Sequence, residues 1–338
     1  MRNDLVNQIA NAVLYEGYIL YPYRRSAVKN QQRWNFGVLY PRSYAAGQTG
    51  HDAWSMQMEC LASFTPQTHL KVSARFLQLV NRDVGQLRAP VPSVNSTDDL
   101  LYERVDTLKI GDKTFQSWQE AVEREVSFAP AISYSKPQSV IFSFKAEKKC
   151  TPLVDGEMIA AVVVRQNESV IGQLTVSATQ QTESISKLRV VLTNRTDFSG
   201  SVRDAALAKS LLSAHLVVSL ENGEFISLLD PPERARAAAC TCVNIGCWPV
   251  LVGAEPARDT MLASPIILYD YPQIAAESPG DLFDSTEIDE ILSLRILTLT
   301  DDEKRDMRAA DERSRKILQR TEELQAQKLG DLHGALRK

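Results

Sequence analysis

The chain of 338 residues contains no run of about 20 consecutive apolar residues, so nothing in it reads as a bilayer-spanning helix. Its opening, MRNDLVNQIANAVLYEGYIL, is interrupted by Asp4, Asn7, Gln8 and Asn11. That denies it the continuous apolar centre of a secretory leader and leads to the expectation of a cytoplasmic protein. Cysteine is scarce. Five residues, an odd number in a chain long enough to bury a real core, fit free thiols in a reducing compartment. Histidine is scarcer: His51, His69, His215 and His333 stand far apart with no H-E-x-x-H pair and no H-x-E with C-x-x-C, which gives hydrolytic zinc chemistry little support. His215 lies inside an apolar run and reads as a satisfied core histidine. There is no G-x-x-x-x-G-K-[ST] loop, no G-x-G-x-x-G after a strand and no G-x-S-x-G elbow, which argues against nucleotide-driven and acyl-transfer enzymes. Excess positive charge is missing too. A net charge of -4 and a pI near 5.7 argue against broad attraction to nucleic acid or anionic lipid and leave local patches that could bind either.

What is present is ordinary globular composition, 44% hydrophobic and 24% charged, and mostly β patterning. Leu5, Val6, Ile9, Val13 and Leu14 recur at helical spacing, predicting a helix over about residues 4–16 that Gly17 ends. Trp54, Met56 and Met58 alternate, as do Leu70, Val72, Ala74 and Phe76, with Pro66 between the runs, so a hairpin is expected. Ala89 to Asp99 reads as a linker and Leu101 to Ile110 as a strand closed by a Gly111-Asp112 turn. Phe115 to Phe128 fits helix and strand alike. Val140 to Phe144, Met158 to Val164, Val170 to Val176 and Leu188 to Leu192 are short runs of strand-forming residues between turn signals. Leu211 to Leu220 and Phe225 to Leu229 flank an Asn222-Gly223 step suited to a further hairpin. Asp230 is the expected cap of an Ala-rich and Arg-rich helix, and Val250 to Val252 and Ile266 to Tyr269 are expected late strands. Capping-box patterns at Asp284 to Glu287 and Thr300 to Glu303 open two terminal helices, the second long, charged and running to about Leu329.

The expected fold is therefore mainly β: an antiparallel β-sandwich core with an N-terminal helix and a C-terminal helical pair. Residues 1–50 would pack as a helix and aromatic, basic segment on a core of residues 51–270, with a possible break near 89–99. Residues 271–338 would supply an acidic loop and the terminal helices.

Between Gly17 and His51 the charged residues are Arg24, Arg25, Lys29, Arg33 and Arg42, with no acid, while Tyr18, Tyr21, Tyr23, Trp34 and Phe36 interleave. Such a stretch suits protein recognition, where Arg and Tyr are favoured, single-stranded RNA binding, where rings stack on bases, or simply a buried crevice filled by tyrosines. From Met261 to Leu294 the charges are all acidic, Asp281, Asp284 and Glu287 among them. The two segments complement each other, either docked within the fold or offered to a partner. Tyr21, Tyr23, Arg24, Arg25, Lys29, Asn30, Arg33 and Trp34, with Asp281, Asp284 and Glu287, are the expected partner-binding residues. Cys240, Cys242 and Cys247 form a C-x-C-x4-C group able in principle to hold a metal, although it matches no C-x2-C knuckle and buried free cysteine is a common small hydrophobe. Carboxylates such as Glu123 and Glu125 read as a solvated face.

Two stretches, LYEGYILYPYRRSAVKNQQRWNFGVLYP and SPIILYDYPQIAAESPGDLFDSTEIDEILSLRILTLTDDEK, resemble a family of bacterial accessory proteins encoded beside uptake [NiFe]-hydrogenases of the actinobacterial and knallgas type. The resemblance covers about a fifth of the chain. It implies an accessory role in the assembly, maturation or stability of a hydrogenase, and the expected function is non-catalytic, through contacts with a hydrogenase subunit or precursor. It offers no catalytic residue to carry over, and no cofactor is expected. A metal or redox protein using the cysteines and an RNA-binding module using the N-terminal segment are the rival expectations.

Overall fold

The computed structural model describes residues 2–19, 23, 27, 30, 33–50, 52–92, 100–274, 289–310 and 312–323. One strand organises it. β1 (Ser55–Pro92) is 38 residues long, where strands of five or six are usual. Along one edge it pairs in turn with β10 (Ser186–Asn194), β5 (Trp118–Phe128) and β2 (Tyr102–Val105). Along the other it pairs with β11 (Leu212–Ile226) and β8 (Met158–Asn167). The sheet extends from β10 through β9 (Val170–Gln180) to β6 (Gln138–Phe144), and from β11 through β13 (Thr260–Ser264) to β12 (Trp248–Leu251). β7 (Glu147–Asp155) lies on the outer side of β8. β3 (Thr107–Ile110) and β4 (Lys113–Gln116) form a separate two-stranded ribbon. All pairings between these strands are antiparallel.

Alternation decides which way each face looks. Met56, Met58, Cys60, Ala62, Leu70, Val72, Ala74 and Phe76 of β1 share a core with Leu174 and Val176, Leu188 and Val190, Leu216 and Val218, and Met261. The sheet folds over this core. Phe76 stacks on Phe142 and meets Phe144 edge-on, at ring separations of 5.9 and 5.8 Å, although β6 is three strands from β1 along the sheet. The two layers thus form the expected antiparallel sandwich.

The opposite face of β1 and β5, with Leu77, Leu79 and Trp118, carries a second core. On it pack Leu14 and Tyr15 of α1 (Arg2–Tyr15), then Tyr18, Ile19, Tyr23 and Trp34, and from the C-terminal end Leu292 and Ile296 of α5 (Asp289–Leu297), Met307 of α6 (Asp301–Ala310) and Ile317 and Leu318 of α7 (Glu312–Glu322). Both ends of the described chain therefore build one helical cap. α1 has the expected extent, and Gly17 follows it at a φ of +72°, the left-handed stop that glycine adopts without strain. Three short helices, α2 (Arg42–Ala46), α3 (Arg203–Leu207) and α4 (Glu233–Ala239), sit in the connections.

Several expectations are corrected. The two runs around Pro66 are one strand: the ladder with β11 skips from Phe64 to His69, and the extra residues loop outwards, where a proline without an N–H does no harm. The Asn222-Gly223 step makes no hairpin but crosses that bulge inside β11, accepting hydrogen bonds at the Asn222 carbonyl from Thr65 and Thr68. Thr68 and the Ser63 carbonyl occupy the space a Cβ at residue 223 would need. Phe115 to Phe128 is strand, split between β4 and β5. Asp230 does not cap α4, whose N-cap position is Pro232, and residues 266–269 are not strand. The long terminal helix is a hairpin, α6 turning back into α7, tied by Arg308 to Glu322 at 2.9 Å. The Thr300 capping box forms as read, with Thr300 N–H donating to Glu303 at 2.9 Å and Glu303 N–H to Thr300 at 3.3 Å. The Asp284 to Glu287 box lies outside the described residues.

Candidate functional site

Tyr21, Arg24, Arg25, Lys29, Asp281, Asp284 and Glu287 also lie outside the described residues. The four remaining residues of the expected recognition face are interior. Tyr23 is fully buried, and Asn30, Arg33 and Trp34 are exposed by only 3, 4 and 6%. Their place in the cap core gives the reason. Arg33 donates to the Tyr18 carbonyl at 2.7 Å and to the Gln119 carbonyl. Its guanidinium lies 3.9 Å from the ring centre of Trp118 and 4.8 Å from that of Trp34, and cation–π attraction strengthens when water is excluded. Trp34 donates its indole N–H to Gln119 at 3.2 Å. Among the described residues, Tyr23, Arg33 and Trp34 hold an N-terminal segment to a sheet and face inward.

Asn30, Arg33 and Trp34 nevertheless reach the wall of a cleft of about 780 Å³, formed with β3 to β5, α3 and α6. Arg104 crosses it to Asp83 at 2.8 Å and Asp106 at 3.3 Å. Arg203 is turned onto the carbonyls of Arg33 and Trp34, each at 3.2 Å. Gln116, Trp118, Asp204 and Asp306 also line it.

A larger cleft, of about 1010 Å³, opens at the end of β9 and β10 beside α2. Its cations are Arg42, Arg195 and Lys209, and its one carboxylate is Asp197. Arg42 lies 4.7 Å over the ring of Trp54. Arg195 donates to Gln173, and Lys209 to the Asp197 carbonyl at 3.4 Å. None of the three makes an ion pair with a carboxylate among the described residues. The floor is held rigidly: Asn194 donates to the carbonyls of Leu39 and Lys209 at 2.8 and 2.9 Å, and accepts from the Thr196 N–H at 2.9 Å. Ser43, Thr193, Thr196 and Ser199 add hydroxyls. Uncompensated cations in a concave, hydroxyl-lined site attract anions such as carboxylate or phosphate groups. Only Arg42 lies in the basic stretch conspicuous in the sequence. Arg195 and Lys209 carry no local signal, because folding alone brings them to it.

The cysteines do not converge on a metal. Among the described residues no group of three or more His, Cys, Asp or Glu is placed to hold one. Cys240 is exposed, while Cys247 is buried and donates to the Gln57 carbonyl at 3.1 Å. Burial pushes the Cys242 thiol up to about 11 and the Cys247 thiol up to about 12, so both stay protonated at neutral pH. Among the described residues no helix is long and apolar enough to cross a membrane.

What the fold defines is a class, a mainly β protein whose antiparallel sandwich carries a helical cap. No protein family and no curated protein matches the chain. Among solved structures it overlaps the Salmonella SPI-1 type III secretion injectisome secretin InvG in its open gate state, at 12% identity over 58% of this chain and 56% of that one, with a TM-score of 0.17. The InvG secretin domain β-barrel overlaps at 13% identity over 69% of this chain and 70% of that one, also with a TM-score of 0.17. A score of 0.17 lies far below that of a shared fold.

Proposed function

We propose that the chain is a non-catalytic, cytoplasmic accessory protein that supports assembly, maturation or stability of a [NiFe]-hydrogenase by holding an acidic segment of a hydrogenase subunit or precursor. The hydrogenase context is supported by the resemblance of the two quoted stretches near the chain ends. The mode of action rests on one observation: Arg42, Arg195 and Lys209 line the cleft of about 1010 Å³ without carboxylate partners among the described residues. Complementary charge accelerates encounter and selects partners. The open, polar form of the cleft suits an extended chain whose carboxylates meet the three cations in turn.

The test is co-purification of co-expressed hydrogenase subunits with the tagged chain, before and after Arg42→Glu, Arg195→Glu and Lys209→Glu are combined. Capture by the native chain should weaken as salt rises, since exposed charges are screened over about 8 Å at physiological ionic strength. The triple variant should lose capture while keeping its melting temperature. Undiminished capture by the variant removes the cleft from the interface, and no capture by the native chain removes the hydrogenase as partner.

A further inference from the structure

The smaller cleft carries a separate feature. Gln116 and Trp118 are two residues apart, so their side chains leave the same side of an extended chain, and both stand in its wall. They are exposed by only 8 and 7%. Gln116 Oε1, an acceptor, and Trp118 Nε1–H, a donor, have no hydrogen-bond partner. An unsatisfied buried polar atom costs about 1–3 kcal/mol, and folded chains rarely leave two side by side. The residues on either side of Trp118 are satisfied. Ser117 Oγ accepts from the Val84 N–H at 2.9 Å and donates to the Val105 carbonyl at 2.6 Å, and Gln119 accepts from Trp34.

Charge adds a second requirement. Four carboxylates face three guanidiniums in this cleft. Arg104 is paired with Asp83 and Asp106, and Arg33 and Arg203 are turned inward onto carbonyls. Asp204, which is exposed, and Asp306, which is half-buried, are left with no ion pair among the described residues. The wall therefore holds a buried donor and acceptor without partners, together with two carboxylates that have no counter-ion among the described residues.

We infer that this cleft binds an extended peptide segment bearing a lysine or arginine, one of whose residues donates its N–H to Gln116 and accepts at its C=O from Trp118 while the cation meets Asp204 and Asp306. In an extended peptide the N–H and C=O of one residue point to the same edge, which is the complement of that orphaned pair. The site is distinct from the basic cleft, so it stands whether or not the hydrogenase reading does.

The probes are a capped tripeptide with a central lysine and its counterpart with norleucine, titrated calorimetrically into the full chain. The lysine peptide should bind saturably and the norleucine peptide about tenfold more weakly, a difference of about 1.4 kcal/mol. Asp204→Asn combined with Asp306→Asn should erase that preference without unfolding the chain, since both residues reach solvent. Trp118→Phe should weaken both peptides alike. No saturable binding of the lysine peptide, or binding indifferent to the Asn substitutions, overturns the proposal. So does a Gln116→Leu chain that is more stable than the native one and binds the lysine peptide unchanged, because those atoms would then face only water or empty space.

Discussion

His215 is fully buried on β11, opposite Arg75 of β1. Its Nδ1 meets the Ser213 carbonyl at 3.1 Å, which makes Nδ1 the donor and leaves Nε2 as an acceptor with no partner. Burial, and after it the positive charge of Arg75, holds its pKa down to about 4 against the hydrogen bond to Ser213. In the unfolded chain the imidazole takes a proton near pH 6.5. Between those two values the unfolded state binds the extra proton. Stability is therefore full above about pH 6.5 and falls as pH drops towards 4, by on the order of 3 kcal/mol. Urea unfolding at about pH 7 and about pH 4.5 measures the loss, and His215→Gln should reduce it. An identical loss in both proteins would place its origin elsewhere. The apolar run around His215 marked a core position from the sequence, but its unpaired nitrogen is visible only when the neighbouring strand is in place.

Among elements, the helical hairpin of α6 and α7 depends on Arg82 of β1. This side chain donates to the Ala310 carbonyl at 2.7 Å and to Ala309 at 3.2 Å, closing the C-terminal end of α6, where the helix dipole favours a cation. It also donates to the Gln116 carbonyl and pairs with Glu120 at 2.8 Å. Arg82→Met would strand the carbonyls and leave Glu120 with Arg165 alone, at a cost of roughly 3 kcal/mol. Hydrogen exchange should then show α6 and α7 opening before the sandwich. Equal loss of protection everywhere would mean that the hairpin is not a separate unit. Element types were legible where a local rule suffices: the Thr300 box, the Gly17 stop and the alternation of β1. They were misread at Pro66 and Asn222-Gly223, where turn residues serve a bulge between two long strands. No local pattern distinguishes that bulge from a pair of hairpins.

Across the whole molecule, the two described ends meet on one face of the sandwich. Tyr15 donates to Glu123 of β5 at 2.6 Å, and Arg313 of α7 lies 3.8 Å over the Tyr15 ring and 3.7 Å from Glu123. Glu123, which reads in the sequence as part of a solvated face, is the junction of three elements. Removing residues 300–338 would uncover Leu77, Leu79 and Trp118 and forfeit the burial of Met307, Ile317 and Leu318, each worth about 1.5–3 kcal/mol. The shortened chain should bind a hydrophobic dye and melt well below the native protein; a dye-negative chain with native melting would show that the cap is dispensable.

The sequence by itself determined the class of fold, because alternation, β-branched runs and capping boxes act between residues a few positions apart. Tertiary structure alone decided that Arg33 and Trp34 face inward, that Arg42 meets Arg195 and Lys209, and that Gln116 and Trp118 share a cleft with Asp306. Those relations join residues up to roughly 190 positions apart, across pairings set only once β1 has gathered its five neighbours.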